Sequence, residues 1–175
     1  MTPEELLILG ITPQYRNDNH KIVSWDDYFM QLVLLISKRS KDSNTQHGCL
    51  AVKDRIVIAT GFNSFPPGAD DKNLPNTRLD NKKYDFINHA EESMIFSAAK
   101  RGVALDGATL YCTGLPCHAC TRKLISVGIL NWVVGPVTHL ASNREKLLSK
   151  YWIEWYNIKI RYYNEFGTYD QSSSN

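Results

Sequence analysis

From residue 89 onward helix and strand signals alternate without a break, and that alternation constrains the fold more than any other feature of the chain. "HAEESMIFSAAKRG" has acids in its first turn, Lys100 and Arg101 in its last, and Gly102 where a helix would stop. "ATLYCT" reads as a strand. "PCHACTRKLISVG" carries Pro116 at its start and Gly128 at its end, the usual asymmetry of helix flanks. "LNWVVG", "SNREKLLSKYWIEWY" and "IKIRYY" continue as strand, helix and strand. Strand–helix–strand units close by right-handed crossovers, so these strands should run parallel in one sheet.

The first half adds an antiparallel start. Ser24 followed by Asp27 resembles a capping box and opens "WDDYFMQLVLLISKRSK", a helix to about Lys41 with Tyr28, Leu32, Leu35 and Ile36 on one apolar face. "GCLAV" and "IVIATGFN", separated by Lys53-Asp54-Arg55, read as a β-hairpin. The order α-β-β-α-β-α-β-α-β predicts a three-layer α/β/α sandwich around a five-stranded mixed sheet. With 175 residues the chain suits one domain. We expect it over 24–168, after an N-terminal appendage (1–23) and before a flexible tail (169–175). Residues 64–87 hold three prolines and many polar groups, and a loop this long is usually functional or disordered.

Charge and cysteine usage narrow the partners. The formal net charge is +2 and the basic residues are scattered, so long nucleic acid is not the first partner to expect. No apolar run approaches a bilayer span, and "MTPEELLILGITP" lacks the basic start of a signal peptide. Cys49, Cys112, Cys117 and Cys120 do not form a secreted disulfide pattern, which points to a reducing cytoplasm. Cys49 and Cys112 alternate with apolar strand residues and read as core.

The chemistry concentrates in "PCHAC" and "INHAEESM". Cys117 and Cys120, three apart at a helix start, present both thiols on one face and can share a tetrahedral ion. Structural zinc, a redox pair and two core cysteines use the same spacing. His89 and Glu91 point about 200° apart on a regular helix, so both reach one site only if it lies off the helix N-terminus. Taken alone, His89 suits a capping or core role, and Glu91 a first-turn acid. Joined to the cysteines they give three metal ligands, His89, Cys117 and Cys120, with a fourth position for water and Glu91 to move that water's proton. H-x-E…P-C-x-x-C is the signature of zinc-dependent nucleobase deaminases. His118 would face away from the metal.

At these residues the chain resembles the deoxycytidylate (dCMP) deaminase family, within the cytidine deaminase-like fold. The likeness runs from about Ser24 to Gly135, through "WDDYFM", "SKRSKDSNTQHG", "GFNSFPPG", "DNKKYDFINHAE" and "GLPCHAC". It implies hydrolytic deamination of dCMP to dUMP with one catalytic Zn2+ per chain, and His89, Cys117 and Cys120 as ligands with Glu91 as proton shuttle. It further implies that Arg39, Ser40 and Asn44 recognise phosphate and sugar, and that Asn63 contacts the sugar. Homohexamers regulated by dCTP and dTTP with Mg2+ at subunit interfaces are also implied.

Departures fall where the base would be read. Glu92-Ser93-Met94 replaces a hydrophobic-Asn-Ala pattern, His47 replaces a valine, and Ser64 stands for the usual glycine. The loop lacks the tryptophan common in that family. Either His47, Glu92 and Ser93 read a different base, a modified cytosine or a purine, or His47 and Glu92 turn away from it. Nucleic-acid editing would need a basic groove, and a structural zinc or nucleotide-sensing module would not need Glu91. Tyr151, Trp152, Trp155, Tyr156, Tyr162 and Tyr163 read as core or subunit interface rather than a base-stacking platform.

Overall fold

Asp54 and Arg55, with φ of 52° and 63°, turn strand β1 (Gly48–Lys53) tightly into β2 (Ile56–Phe62). Two left-handed residues match the right-handed twist of the flanking strands. The computed structural model describes residues 2–10, 22–70, 72–77, 79–137, 142–164 and 169–170. Its other strands are β3 (Thr109–Gly114), β4 (Asn131–Val137), β5 (Lys159–Tyr163) and the two-residue β6 (Tyr169–Asp170). The sheet order is β2-β1-β3-β4-β5-β6. β1 pairs antiparallel with β2 and β3, β3–β4 and β4–β5 are parallel, and β6 returns antiparallel to β5. The five expected strands are therefore present, and Tyr169–Asp170 extends the sheet where a tail was expected to begin.

Because β1 lies between them, β2 and β3 run in the same direction. Three crossovers follow, through α3 (Ala90–Lys100), α4 (His118–Ser126) and α5 (Asn143–Trp155). All three cover one face, where Cys49, Ala51, Leu110, Cys112, Trp132 and Val134 pack with Met94, Leu124 and Ile153. Cys49 and Cys112 are core, as expected. The other face, Leu50, Val52, Tyr111 and Val133, is covered by α2 (Trp25–Ser37) through Phe29, Met30 and Val33. The N-terminal α1 (Pro3–Ile8) has a Thr2–Glu5 capping box and buries no residue.

Helix α2 differs from its sequence reading in face and length. Tyr28 and Leu35 are exposed, Leu32 and Ile36 half-buried, and the inward residues are Phe29, Met30, Val33 and Ser37. The segment is apolar nearly all round, so periodicity admits two stripes and tertiary contacts choose between them. Gly48 makes the choice: a Cβ there would lie 2.7 Å from Ser37 N and 2.8 Å from Val33 O, so α2 settles directly on β1. Asp26 accepts from Arg161 and Tyr111, and Asp27 from Tyr163, holding the helix start over β5. The helix ends at Ser37 rather than Lys41 because the Lys41 N–H leaves for Asn63 O at 2.8 Å.

The C-terminal aromatics, on α5, its C-cap and β5, are corrected on one point. Tyr151, Trp155, Tyr156 and Tyr162 are exposed, so the core reading fails for them. Helix α5 turns Ser149 and Ile153 inward instead, and Tyr151 stacks on Trp155 at 5.9 Å.

Candidate metal centre at two helix N-termini

The parallel strands end at one edge of the sheet, where ligands of open α/β sheets usually sit. β3 leads to the N-terminus of α4, and β2 leads through residues 63–88 to the N-terminus of α3. Gly61 sets the second helix close: a Cβ on β2 there would lie 2.5 Å from Met94 N and nearer still to Ala90 O. Only glycine lets α3 begin directly against the strand.

His89 is the N-cap of α3 and Cys117 that of α4, both with extended backbone (ψ 161° and 162°). Neither side chain is committed to its helix's circumference, so both reach beyond the helix ends. His89 Nδ1 lies 3.5 Å from Cys117 Sγ and 3.4 Å from Cys120 Sγ. All three donor atoms lie within 4.8 Å of one another. A tetrahedral zinc with sulfur at about 2.3 Å and nitrogen at about 2.0–2.1 Å holds such donors about 3.6 Å apart. The borderline-soft donor set and the spacing both fit zinc.

The three side chains shift one another's hold on protons. The Cys120 thiol donating to Cys117, together with His89, brings the Cys117 thiol down to about 3 against the pull of burial. Hydrogen bonding to that sulfur pushes His89 up to about 9. Cys117 and burial together push the Cys120 thiol well above its ordinary range. A divalent ion would displace those protons, since metal ligands bind deprotonated.

Glu91, second residue of α3, is 8% exposed. Burial raises its carboxyl above the usual range, and His89 opposes that. His118, between the two cysteines, is half-buried, and its Nδ1 is buried without a hydrogen-bond partner among the described residues.

Both carboxylate oxygens of Glu92 have partners within the protein. One carboxylate oxygen accepts the His89 N–H at 2.8 Å, the other pairs with Lys123 on α4. Burial works to raise its carboxyl, and these partners outweigh it and leave it lowered. The His89-x-x-Glu92 spacing carries half of a capping-box signal, which the sequence reading left unused.

The remaining candidates gather along the same edge. Asn63, 5% exposed, accepts the Ala90 N–H at 3.0 Å and donates to Thr45 O at 2.9 Å, tying α3 to the chain after α2. The hydroxyls of Ser93 and Ser64, both departures from the family pattern, lie 3.0 Å apart. His47 is buried, with Nδ1 2.6 Å from the Thr113 hydroxyl. Ser40 Oγ accepts the Asp42 N–H at 3.1 Å, while Arg39 and Asn44 are exposed.

Two residues beneath this edge were not singled out from the sequence. Asp42 and Lys83 form a buried ion pair, with side chains 6% and 2% exposed. Asp42 also accepts the N–H groups of Asn44 and Thr45, shaping the turn that presents Arg39 to Asn44. Lys83 lies in a 3₁₀ stretch (Leu79–Asp85) of the long loop. "DSN" could have signalled the Asx turn. Nothing distinguishes Lys83 from Lys82 beside it.

Three thiol and imidazole donors with a buried acid beside them, at the strand ends of an α/β/α sandwich, form a centre of the kind that zinc takes. Residues 23–136 match the family described as the cytidine and deoxycytidylate deaminase zinc-binding region, and the chain belongs to that family. It is 36% identical over 126 residues to a probable deoxycytidylate deaminase of Drosophila melanogaster, covering 64% of this chain and 61% of that one. A deoxycytidylate deaminase of Schizosaccharomyces pombe is 34% identical over 75% of this chain and 43% of its own length. The chain thus spans about two-fifths of the yeast protein and three-fifths of the fly protein. In fold it resembles the dCMP deaminase of cyanophage S-TIM5 in complex with dCMP and dUMP, with TM-score 0.65 and 20% identity over 82% of this chain and all of that one.

Proposed function

We propose that the chain is a zinc-dependent hydrolase of a deoxynucleoside monophosphate, converting dCMP to dUMP and ammonia. Glu91 carries this reading, as an acid buried against the His89–Cys117–Cys120 cluster. A structural zinc site is closed by four protein ligands and has no use for such a group. In this reading His89, Cys117 and Cys120 hold the ion. When bound, zinc brings water towards ionisation near neutral pH. Glu91 accepts the proton of the attacking water and delivers it to the cytosine ring nitrogen next to C4. The water oxygen bonds to C4, the bond from C4 to the amino nitrogen breaks, and ammonia leaves with the second proton. Burial raises the Glu91 carboxyl above the usual carboxylate range, the direction a proton carrier needs.

The fly and yeast relatives support the cytosine deoxynucleotide. Arg39, Ser40 and Asn44 take the phosphate and sugar, Asn63 the sugar, and His47 and Ser93 the base side. The domain opens at about residue 24 and takes in β6. The outward apolar residues of α2, Trp25, Tyr28 and Leu35, support assembly of copies of this chain, a homohexamer by family resemblance. dCTP or dTTP with Mg2+ would act between subunits. Among the described residues no helix is long and apolar enough to cross a membrane. The four free cysteines suit the reducing cytoplasm.

The Ser64–Ser93 hydroxyl pair and the polar His47 favour one alternative, the same chemistry on a modified cytosine or a purine deoxynucleotide. A panel of deoxynucleoside monophosphates, read by ammonia release, decides. Turnover of dCMP is expected; silence with dCMP beside release from another base would replace it. Substantial turnover by Glu91→Ala would overturn the mechanism.

A further inference from the structure

We propose that Glu92 and Lys123 are positioning residues that fix the gap between the two ligand-bearing helices and so govern how tightly zinc is held. The proposal rests on the reading that His89, Cys117 and Cys120 bind zinc. These ligands come from two separate helices, His89 from the start of α3 and the cysteines from the start of α4. Their donor atoms already stand 3.4–3.5 Å apart across the helices, the spacing that zinc requires, so the protein itself must set that gap.

A single carboxylate does so. Glu92 Oε2 accepts the peptide N–H of His89 itself, fixing the main chain from which the imidazole springs. Glu92 Oε1 pairs with the ammonium of Lys123. Lys123 follows Cys120 by three residues and so lies one turn beyond it on the same side of α4. The Glu92 carboxylate therefore joins the backbone of one ligand to the helix that carries the other two. Among the described residues no other ion pair joins α3 to α4.

Exposure makes the link separable from the fold. The two side chains are 19% and 45% exposed, and ion pairs at such positions add little to global stability. Groups that orient a metal's ligands commonly change metal affinity by about 10–100-fold when removed. Loss of this link should therefore show in zinc retention before it shows in unfolding.

The test uses the zinc-loaded full chain, challenged with a coloured chelator so that zinc release is read directly. Glu92→Leu and Lys123→Met are expected to hold zinc about tenfold or more weakly. The double variant should be no worse than the weaker single one, since both break one link. Glu92→Gln should fall between, because its amide oxygen still accepts the His89 N–H, and Lys123→Arg should restore retention. Lys150→Met, which breaks the exposed Lys150–Glu154 pair within α5, should behave as wild type. In cobalt-substituted protein the visible absorption should shift in Glu92→Leu and not in Lys150→Met. Thermal midpoints of the zinc-free proteins should agree, and Lys123→Met keeps the test decisive if Glu92→Leu fails to fold. Wild-type zinc retention by both single variants would overturn the proposal and leave the zinc reading intact. Failure of the wild-type protein to bind zinc would remove the reading beneath it.

Discussion

Two walls of the candidate site are built on different principles. The metal wall consists of helix N-termini, where His89 and Cys117 are caps and main-chain geometry sets their positions. The other wall, residues 38–47 with the described residues of the 64–88 loop, holds only one 3₁₀ stretch and is tied by side chains. There Asp42 gathers two backbone N–H groups and Lys83, Ser43 donates to Asn76 O, and Asn63 bridges to α3. Repeating structure places atoms through the main chain, whereas a wall held by individual side chains can change shape by single substitutions.

The contrast breaks most sharply at the metal wall. Removing zinc with a chelator should abolish deamination, and added zinc should restore it. Glu91→Gln should then lower kcat by about 10²–10⁴-fold, the usual contribution of a positioned proton carrier, while zinc content by metal analysis stays at one per chain. Retained turnover in either experiment would mean that the chemistry lies elsewhere.

The loop wall should respond in stability and KM rather than in kcat. Lys83→Met leaves Asp42 buried without its cation, a loss of about 3–5 kcal/mol in urea unfolding. Proteases should also cut within residues 64–87 more readily. A Ser64→Ala and Ser93→Ala cycle should show a coupling of about 1 kcal/mol, and no coupling would mean that the two hydroxyls act separately.

The smallest effect concerns the side away from the site. Hydrogen bonds from Ser24 and Tyr163 hold the Asp27 carboxyl below its ordinary value of 3.8. Folding thus favours the ionised form, so this contribution is complete above the ordinary carboxylate range and fades as pH falls below it. Tyr163→Phe should lower the thermal midpoint slightly at pH 7 and by less at pH 3.

The same contrast explains what the sequence revealed. Caps, terminal glycines and period changes are local signals, so α3, β3, α4 and β4 could be read directly, together with the grouping of His89, Cys117 and Cys120. The inward face of α2 could not, because an all-round apolar helix is oriented by Gly48 and by Arg161, 135 positions from Asp26. Nor could the Lys83–Asp42 pair, since a lysine looks the same in sequence whether solvated or buried. Glu92 fell between these cases: its cap spacing was visible, but its link to Lys123, 31 residues on, was not.

The sheet order also bears on how the chain assembles. β3 pairs with β4 across 22 positions (Thr109 with Asn131), but with β1 across 63 (Cys49 with Cys112). Closing the longer loop costs about 1 kcal/mol more in chain entropy. The β3-α4-β4 unit, which bears both thiols, can therefore form early, while α3 is anchored only once the hairpin docks. A folding chain would meet zinc first with two sulfurs, and the imidazole would complete the site last.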